Sequence, residues 1–98
     1  MNNTTENMKN KSHEIYEKLK TERDQLKLKR HLMNEELEEK WQSSEKQWSR
    51  LKSKFSTITK GAGEAVDDLS LGFSVLGDEI KEAYKDIKLG IKSSKLTK

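Results

Sequence analysis

Large apolar residues recur from residue 37 onward at spacings that alternate between four and three, and this pattern strongly constrains the fold. Only position 44 is polar in the stripe, which reads Leu37, Trp41, Ser44, Trp48, Leu51, Phe55 and Ile58. A heptad pattern of this kind places apolar side chains on one side of an α-helix and predicts that this side packs against another helix. The chain contains no proline, so long helices are permitted.

A second stripe with the same spacing follows the segment Gly61-Ala62-Gly63. It consists of Val66, Leu69, Phe73, Leu76, Ile80, Ala83 and Ile87. Gly61 or Gly63 can hold the left-handed backbone that ends a helix, so the chain is expected to turn here. The predicted organisation is a disordered tail at 1–11, a long helix at 12–60, a turn at 61–63, a second amphipathic helix at 64–92 and a disordered tail at 93–98.

The two parts of the predicted long helix differ in apolar content. Residues 37–59 carry the strong heptad stripe, whereas residues 13–36 are weakly amphipathic. Leu19, Leu26 and Met33 recur there every seven residues, but arginines occupy the alternate positions of the stripe. We therefore expect this N-terminal arm to pack weakly or to need another chain.

Charge is distributed in blocks along the sequence. Residues 41–60 carry five Lys/Arg and one Glu, residues 61–84 carry one Lys and six Asp/Glu, and residues 85–98 carry five Lys and one Asp. Because blocks of opposite sign adjoin, they are expected to meet each other rather than an external polyanion. The alternation favours a chain that folds back on itself.

Folding the chain symmetrically about Ala62 brings the two stripes together. The pairs are Leu37 with Ile87, Trp41 with Ala83, Trp48 with Leu76 and Phe55 with Leu69. The same register places Glu36 opposite Lys88, although it also places Glu45 opposite Glu79. The alternative is one continuous helix through both glycines, at roughly 1 kcal/mol for each glycine relative to alanine.

The predicted fold class is all-α: an antiparallel helical hairpin, or coiled coil, completed by homo-oligomerisation. With 31% hydrophobic and 38% charged residues, one hairpin is not expected to form a large core. Trp41, Trp48 and Phe73 would stay partly uncovered in an isolated pair of helices. Dimerisation into a four-helix arrangement would complete their burial.

The segment around the second stripe resembles a bacterial protein family. The residues concerned are Gly63-Glu64-Ala65-Val66-Asp67-Asp68-Leu69, then Gly72-Phe73 and Asp78-Glu79-Ile80-Lys81-Glu82-Ala83-Tyr84. The chain resembles, over about residues 35–92, small coiled-coil proteins of roughly 100 residues with uncharacterised or stress-associated roles. It departs from the family pattern at Val66, where a tryptophan is usual, and at Val75-Leu76-Gly77, where an Ala-Trp pair is usual. The resemblance implies a bacterial protein that self-associates and has no known chemistry.

The sequence offers little for catalysis, cofactor binding or metal binding. His13 and His31 lie far apart in charged surroundings without the spacing of metal ligands. The acidic run Glu35-Glu36 and Glu38-Glu39 indicates a solvated helix face, and Gly61-Ala62-Gly63 lacks the context of a phosphate-binding loop. The chain has no cysteine, so thiolate sites are excluded. We expect a protein that is not an enzyme and that has no cofactor, metal site or catalytic residue.

Nucleic acids and membranes are two further kinds of partner for such a sequence. Trp41 and Trp48 could stack on bases, but their seven-residue spacing on the apolar stripe favours packing inside the protein, so nucleic-acid binding is not expected. Residues 64–92 could bind an anionic membrane surface through a stripe widened by Leu71, Val75 and Leu89. The lysines on this segment would meet the headgroups: Lys81, Lys85, Lys88 and Lys92.

The leading functional prediction is a self-associating structural or interaction protein. The family resemblance implies a stress-associated role. The alternative is a peripheral protein that coats a membrane or another hydrophobic surface with residues 64–92. The sequence lacks a long apolar segment and the apolar core of a signal peptide, so a cytoplasmic location is expected by default.

Overall fold

A computed structural model describes the backbone of residues 2–60 and 66–96 and the side chains of residues 10–60 and 69–93. Within these residues the chain forms three α-helices and no strand: α1 is Asn2–Leu28, α2 is Glu35–Lys60 and α3 is Val66–Leu96. The predicted all-helical fold is confirmed. The helices form a bundle of 57 × 19 × 18 Å.

The predicted helix at 12–60 is divided in two. A 3₁₀ turn at Arg30–Leu32 separates α1 from α2, and Met33 is extended. Asn34 then begins α2, because its side-chain Oδ1 accepts a hydrogen bond of 2.9 Å from the backbone N–H of Leu37. Three acids in the first turn of α2 favour the same start. Asn34 followed by acids is the sequence signal that the heptad analysis missed.

The predicted tails also differ from the structure. Residues 2–11 belong to α1, and α3 continues to Leu96 rather than ending at residue 92. No glycine or proline interrupts residues 2–28 or 91–96, so the helical backbone continues through these polar segments. The predicted turn at Gly61 and Gly63 lies outside the described residues.

Contacts between α2 and α3 run in opposite directions along the two helices. The Trp41 and Tyr84 rings lie 6.4 Å apart between centroids, and the Phe55 and Phe73 rings lie 5.9 Å apart. The ring contacts of Trp41 and Phe55 are thus made with Tyr84 and Phe73, whereas the symmetric register had placed Trp41 opposite Ala83 and Phe55 opposite Leu69. The expected ion pair between Glu36 and Lys88 is also wrong, since the Lys88 Nζ lies 2.9 Å from Glu22 of α1.

The N-terminal arm packs on the other two helices of its own chain. Leu19 and Leu26 of α1 are buried, and they join one core with the buried side chains of α2 and α3. Trp41, Trp48 and Phe73 are all buried in this arrangement. The arm was expected to pack weakly or to need another chain. It finds its contacts within its own chain, where Tyr16 and Arg23 of α1 contact Trp48.

Candidate interaction site

The predicted packing residues largely form the core of the bundle. Buried among them are Leu37, Trp41, Trp48, Leu51, Ile58, Phe73, Leu76, Ile80 and Ile87. Phe55, Leu69 and Ala83 are partly buried, and the side chain of Val66 lies outside the described residues. The core also contains residues that the sequence analysis did not include in the stripes: Leu19, Leu26, Tyr84 and Ile91.

Aromatic side chains from all three helices contact one another in the core. Tyr16 of α1 stacks on Phe55 at 4.1 Å and on Trp48 at 4.9 Å between ring centroids. Phe55 continues the series to Phe73 of α3. Stacked aromatic pairs add about 0.5–1.5 kcal/mol beyond the burial of their area. Tyr16 is therefore an important anchor of α1. It shares the heptad position of Arg23 and Arg30, seven residues before Arg23, but only Leu19, Leu26 and Met33 had been assigned to the apolar pattern of this arm.

Arg23 ties α1 to α2 through a two-pronged ion pair. Its Nε and Nη2 donate hydrogen bonds of 2.7 and 2.8 Å to the two carboxylate oxygens of Glu45. The guanidinium also lies over the Trp48 ring, 5.3 Å from its centroid. The hydrogen bonds that Arg23 donates to Glu45 raise the pKa of Arg23 above its ordinary value. An arginine that interrupted the stripe in the sequence thus finds a specific partner.

Removing the Arg23 side chain is expected to weaken the docking of α1. Arg23→Ala loses the ion pair and the contact with Trp48, and we expect a loss of about 1–2 kcal/mol in unfolding free energy. Arg30→Ala is the matched control, because Arg30 bonds Glu38 of α2 in an exposed position where solvent screens the pair. Urea unfolding followed by tryptophan fluorescence measures both; equal effects would contradict the role assigned to Arg23.

The Tyr84 hydroxyl is an unsatisfied group in this core. Tyr84 is fully buried, and its Oη has no hydrogen-bond partner among the described residues. Burial raises the pKa of Tyr84 far above its ordinary value, because the phenolate would lose its hydration. The negative charge of Glu45 adds to this rise, and Arg23 opposes it.

Tyr84→Phe is therefore expected to stabilise the protein by about 1 kcal/mol at neutral pH, since it removes a buried hydroxyl that makes no bond. The parent should also lose stability as the pH rises above about 10. Below that pH the folded and unfolded chains both keep the proton, whereas above it only the unfolded chain readily releases it. Urea midpoints measured across the alkaline range for parent and variant check this; an identical pH dependence would contradict it.

The ion pairs between helices are concentrated where α1 and the 3₁₀ turn meet the rest of the bundle. Within the described residues they join Arg23 to Glu45, Arg30 to Glu38 and Lys88 to Glu22. The opposite side of the bundle, between α2 and α3, has charged residues without such pairs. We call that side the open face.

The open face has an acidic part and a basic part. A groove between α2 and α3 is lined by Lys40, Ser43, Ser44, Gln47, Asp78, Glu79, Glu82, Ala83 and Asp86. Beside it on α2, a shallow basic depression is lined by Lys46, Ser49, Arg50, Ser53 and Lys54. The buried Ser44 hydroxyl donates a 2.7 Å hydrogen bond to the Trp41 carbonyl, so the polar residue in the heptad stripe is satisfied inside α2.

Large apolar side chains on α3 are exposed beside the acidic groove. Leu71 is 68% exposed, and Val75, one helical turn further on, is 54% exposed. Leu89 is also 54% exposed on the same side of α3. These are the residues that the sequence analysis had placed at the widened edge of the second stripe. The structure leaves them outside the core.

The described residues offer no group of three or more His, Asp or Glu side chains arranged to hold a metal ion. The ring of His13 lies 5.8 Å from that of Phe55, and His31 lies in the exposed 3₁₀ turn. Over the described residues, none of the helices combines the length and the apolar character that crossing a membrane requires.

No known protein identifies this chain. Neither a family model, a curated protein nor a solved structure matches it. The resemblance to small bacterial coiled-coil proteins therefore stays a prediction. The function of the chain is inferred from the geometry of the core and of the open face.

Proposed function

We propose that the protein is a non-enzymatic, self-associating helical interaction module, in which the antiparallel α2–α3 hairpin is completed on its open face by a second copy of the chain. We place the protein in the cytoplasm of a bacterium, with the stress-associated role that the family resemblance implies. The association is of the helix-packing type, with the module's own core already formed by α1, α2 and α3.

The observation that carries this proposal is the exposure of Leu71 and Val75 one turn apart on α3. Both lie beside a groove whose floor contains the small residues Ser43, Ser44 and Ala83. Small side chains allow another helix to approach closely, and neighbouring exposed apolar residues gain free energy when such a helix covers them.

The physical reason for self-association differs from the one expected from sequence. A second chain was expected to bury Trp41, Trp48 and Phe73, but all three are buried within one chain. Their burial no longer calls for an oligomer. The proposal instead depends on residues at the outer edge of α3.

Sedimentation velocity of the full chain over a range of micromolar concentrations tests the proposal. We expect the parent to dimerise and Leu71→Gln combined with Val75→Gln to shift the equilibrium towards monomer. Leu28→Gln is the control, because Leu28 is 78% exposed but belongs to α1, whereas the open face lies between α2 and α3. Far-UV circular dichroism verifies that the variants stay helical. A parent that is monomeric throughout the range overturns the proposal.

A second candidate function, binding to an anionic membrane surface, is favoured by one observation. Leu89 is exposed on α3, and the exposed Lys85 and Lys92 lie near it. Asp78 and Glu82, on the same side of α3, would be repelled by such a surface. Co-sedimentation with phosphatidylserine-containing vesicles distinguishes the candidates: self-association predicts no binding at physiological salt, whereas membrane binding predicts pelleting that Leu89→Gln abolishes.

A further inference from the structure

We infer that the open face binds a second copy of the chain in a two-fold symmetric arrangement, with the acidic part of each copy against the basic part of the other. This inference rests on the proposed self-association and specifies its interface. The charges on the open face identify the partner, because the acidic part of the face is complementary to its own basic part.

The charges on the open face are available for such a contact. The acidic part consists of Asp78, Glu79, Glu82 and Asp86, and all four residues are exposed. The basic part consists of Lys46, Arg50 and Lys54, and Lys40 lies among the acidic residues that line the groove. Within the part of the chain that the structure describes, none of these eight side chains forms an ion pair, whereas Arg23, Arg30 and Lys88 on the other side all do.

The two parts occupy different positions along the bundle. A Cβ atom placed on Gly72 would lie 3.9 Å from the Lys54 Nζ, so Lys54 is level with the residues that precede Val75 on α3. Arg50 is one turn away on α2. The acidic residues begin at Asp78 and continue to Asp86. At ~1.5 Å per residue, the centres of the basic and acidic parts are separated by roughly 8 Å along α3.

This separation suits a two-fold axis. A two-fold axis that lies in the open face, midway between the two parts and perpendicular to the line that joins them, places the acidic part of one copy over the basic part of the other, and the same contact occurs twice. Val75 lies one helical turn before Glu79 of the acidic part, where the partner can cover it. Opposite charges select the orientation and speed the encounter, while burial of Val75 and Leu71 supplies apolar contact.

Other partners fit the face less well. A nucleic acid would meet the four carboxylates of the acidic part, and a purely basic helix would meet Arg50 and Lys54. A second copy presents both signs at the matching separation.

Charge reversal in the full chain tests the inference. One variant carries Glu79→Lys with Glu82→Lys, and the other carries Arg50→Glu with Lys54→Glu. Alone, each variant would place like charges together, and we expect its dimer dissociation constant to rise at least roughly tenfold above that of the parent. Mixed in equal amounts, the two variants should form a heterodimer. The face of the first variant then has an excess of positive charge, and the face of the second has an excess of negative charge.

Sedimentation velocity measures the parent, both variants and the mixture, with circular dichroism to compare their helicity. A parent that dimerises while both variants dimerise equally well overturns the inference and leaves the proposed self-association intact. Failure of the mixture to restore the dimer also overturns it. A monomeric parent overturns both proposals.

The parent alone provides a second measurement that does not depend on variants folding. We expect its dimer to weaken as sodium chloride is raised, because salt screens the contacts between exposed charges. A dissociation constant that does not change with salt would overturn the assignment of the charged interface.

Discussion

Replacing Leu26 with alanine is expected to lower the free energy of unfolding by about 3 kcal/mol, since truncating a buried leucine loses apolar burial and leaves a cavity. Leu26 lies on α1 and is only 1% exposed. The effect would be large for a chain of 98 residues, because single domains of this size are stable by only about 5–15 kcal/mol. Urea unfolding, followed by circular dichroism and tryptophan fluorescence together, measures it.

Leu28→Ala is the matched control for this prediction. It makes the same chemical change two residues further along the same helix, but Leu28 is 78% exposed. We expect its effect to remain within about 0.5 kcal/mol. Equal losses from the two substitutions, or no loss from Leu26→Ala, would show that α1 does not dock through Leu26.

Two glycines of α3 are expected to respond in opposite directions to the same substitution. Gly72→Ala should stabilise the protein by about 1 kcal/mol, because alanine favours a helix and the added Cβ meets only the Lys54 Nζ at 3.9 Å. Gly90→Ala should destabilise it by about 1–2 kcal/mol. There the added Cβ would collide with the side chain of Leu37, lying 3.2 Å from its Cδ1 and 3.3 Å from its Cγ as well as against Cδ2.

The cost at Gly90 depends on how far Leu37 can move. Leu37 is buried, and its backbone N–H is bonded to the Asn34 side chain that begins α2. Several of its side-chain atoms meet the new methyl group, so rotation of one methyl does not relieve the collision. Gly90→Ala combined with Leu37→Ala provides the control: a penalty at Gly90 that persists after Leu37 is truncated would contradict this explanation. Thermal and urea unfolding provide the measurements.

The N-terminal arm shows why the sequence pattern predicted only part of the fold. Its apolar residues are sparse, and helical periodicity alone treated Arg23 and Arg30 as interruptions. In the structure both arginines pair with glutamates of α2, while Leu19 and Leu26 supply the buried contacts. Those partners lie on another helix, so local spacing along α1 could not identify them.

The open face was anticipated in its parts but not as a surface. The charge blocks and the widened stripe at Leu71, Val75 and Leu89 were visible in the sequence. Their expected roles were to pair α2 with α3 or to bind a membrane. Lys88 instead bonds Glu22 of α1, which shows that the block charges do not pair by simple reflection about the glycines.

The sequence by itself determined that the chain is helical and which side of α2 and α3 is apolar, because these properties follow from residue propensity and from spacing along one helix. Only the tertiary structure decided that α1 folds back, which aromatic rings of α2 and α3 meet, and that Leu71 and Val75 stay exposed. These features depend on how side chains from different helices fit together. Helix periodicity specifies the direction in which a side chain points, but the shape and charge of the neighbouring helix decide what it meets.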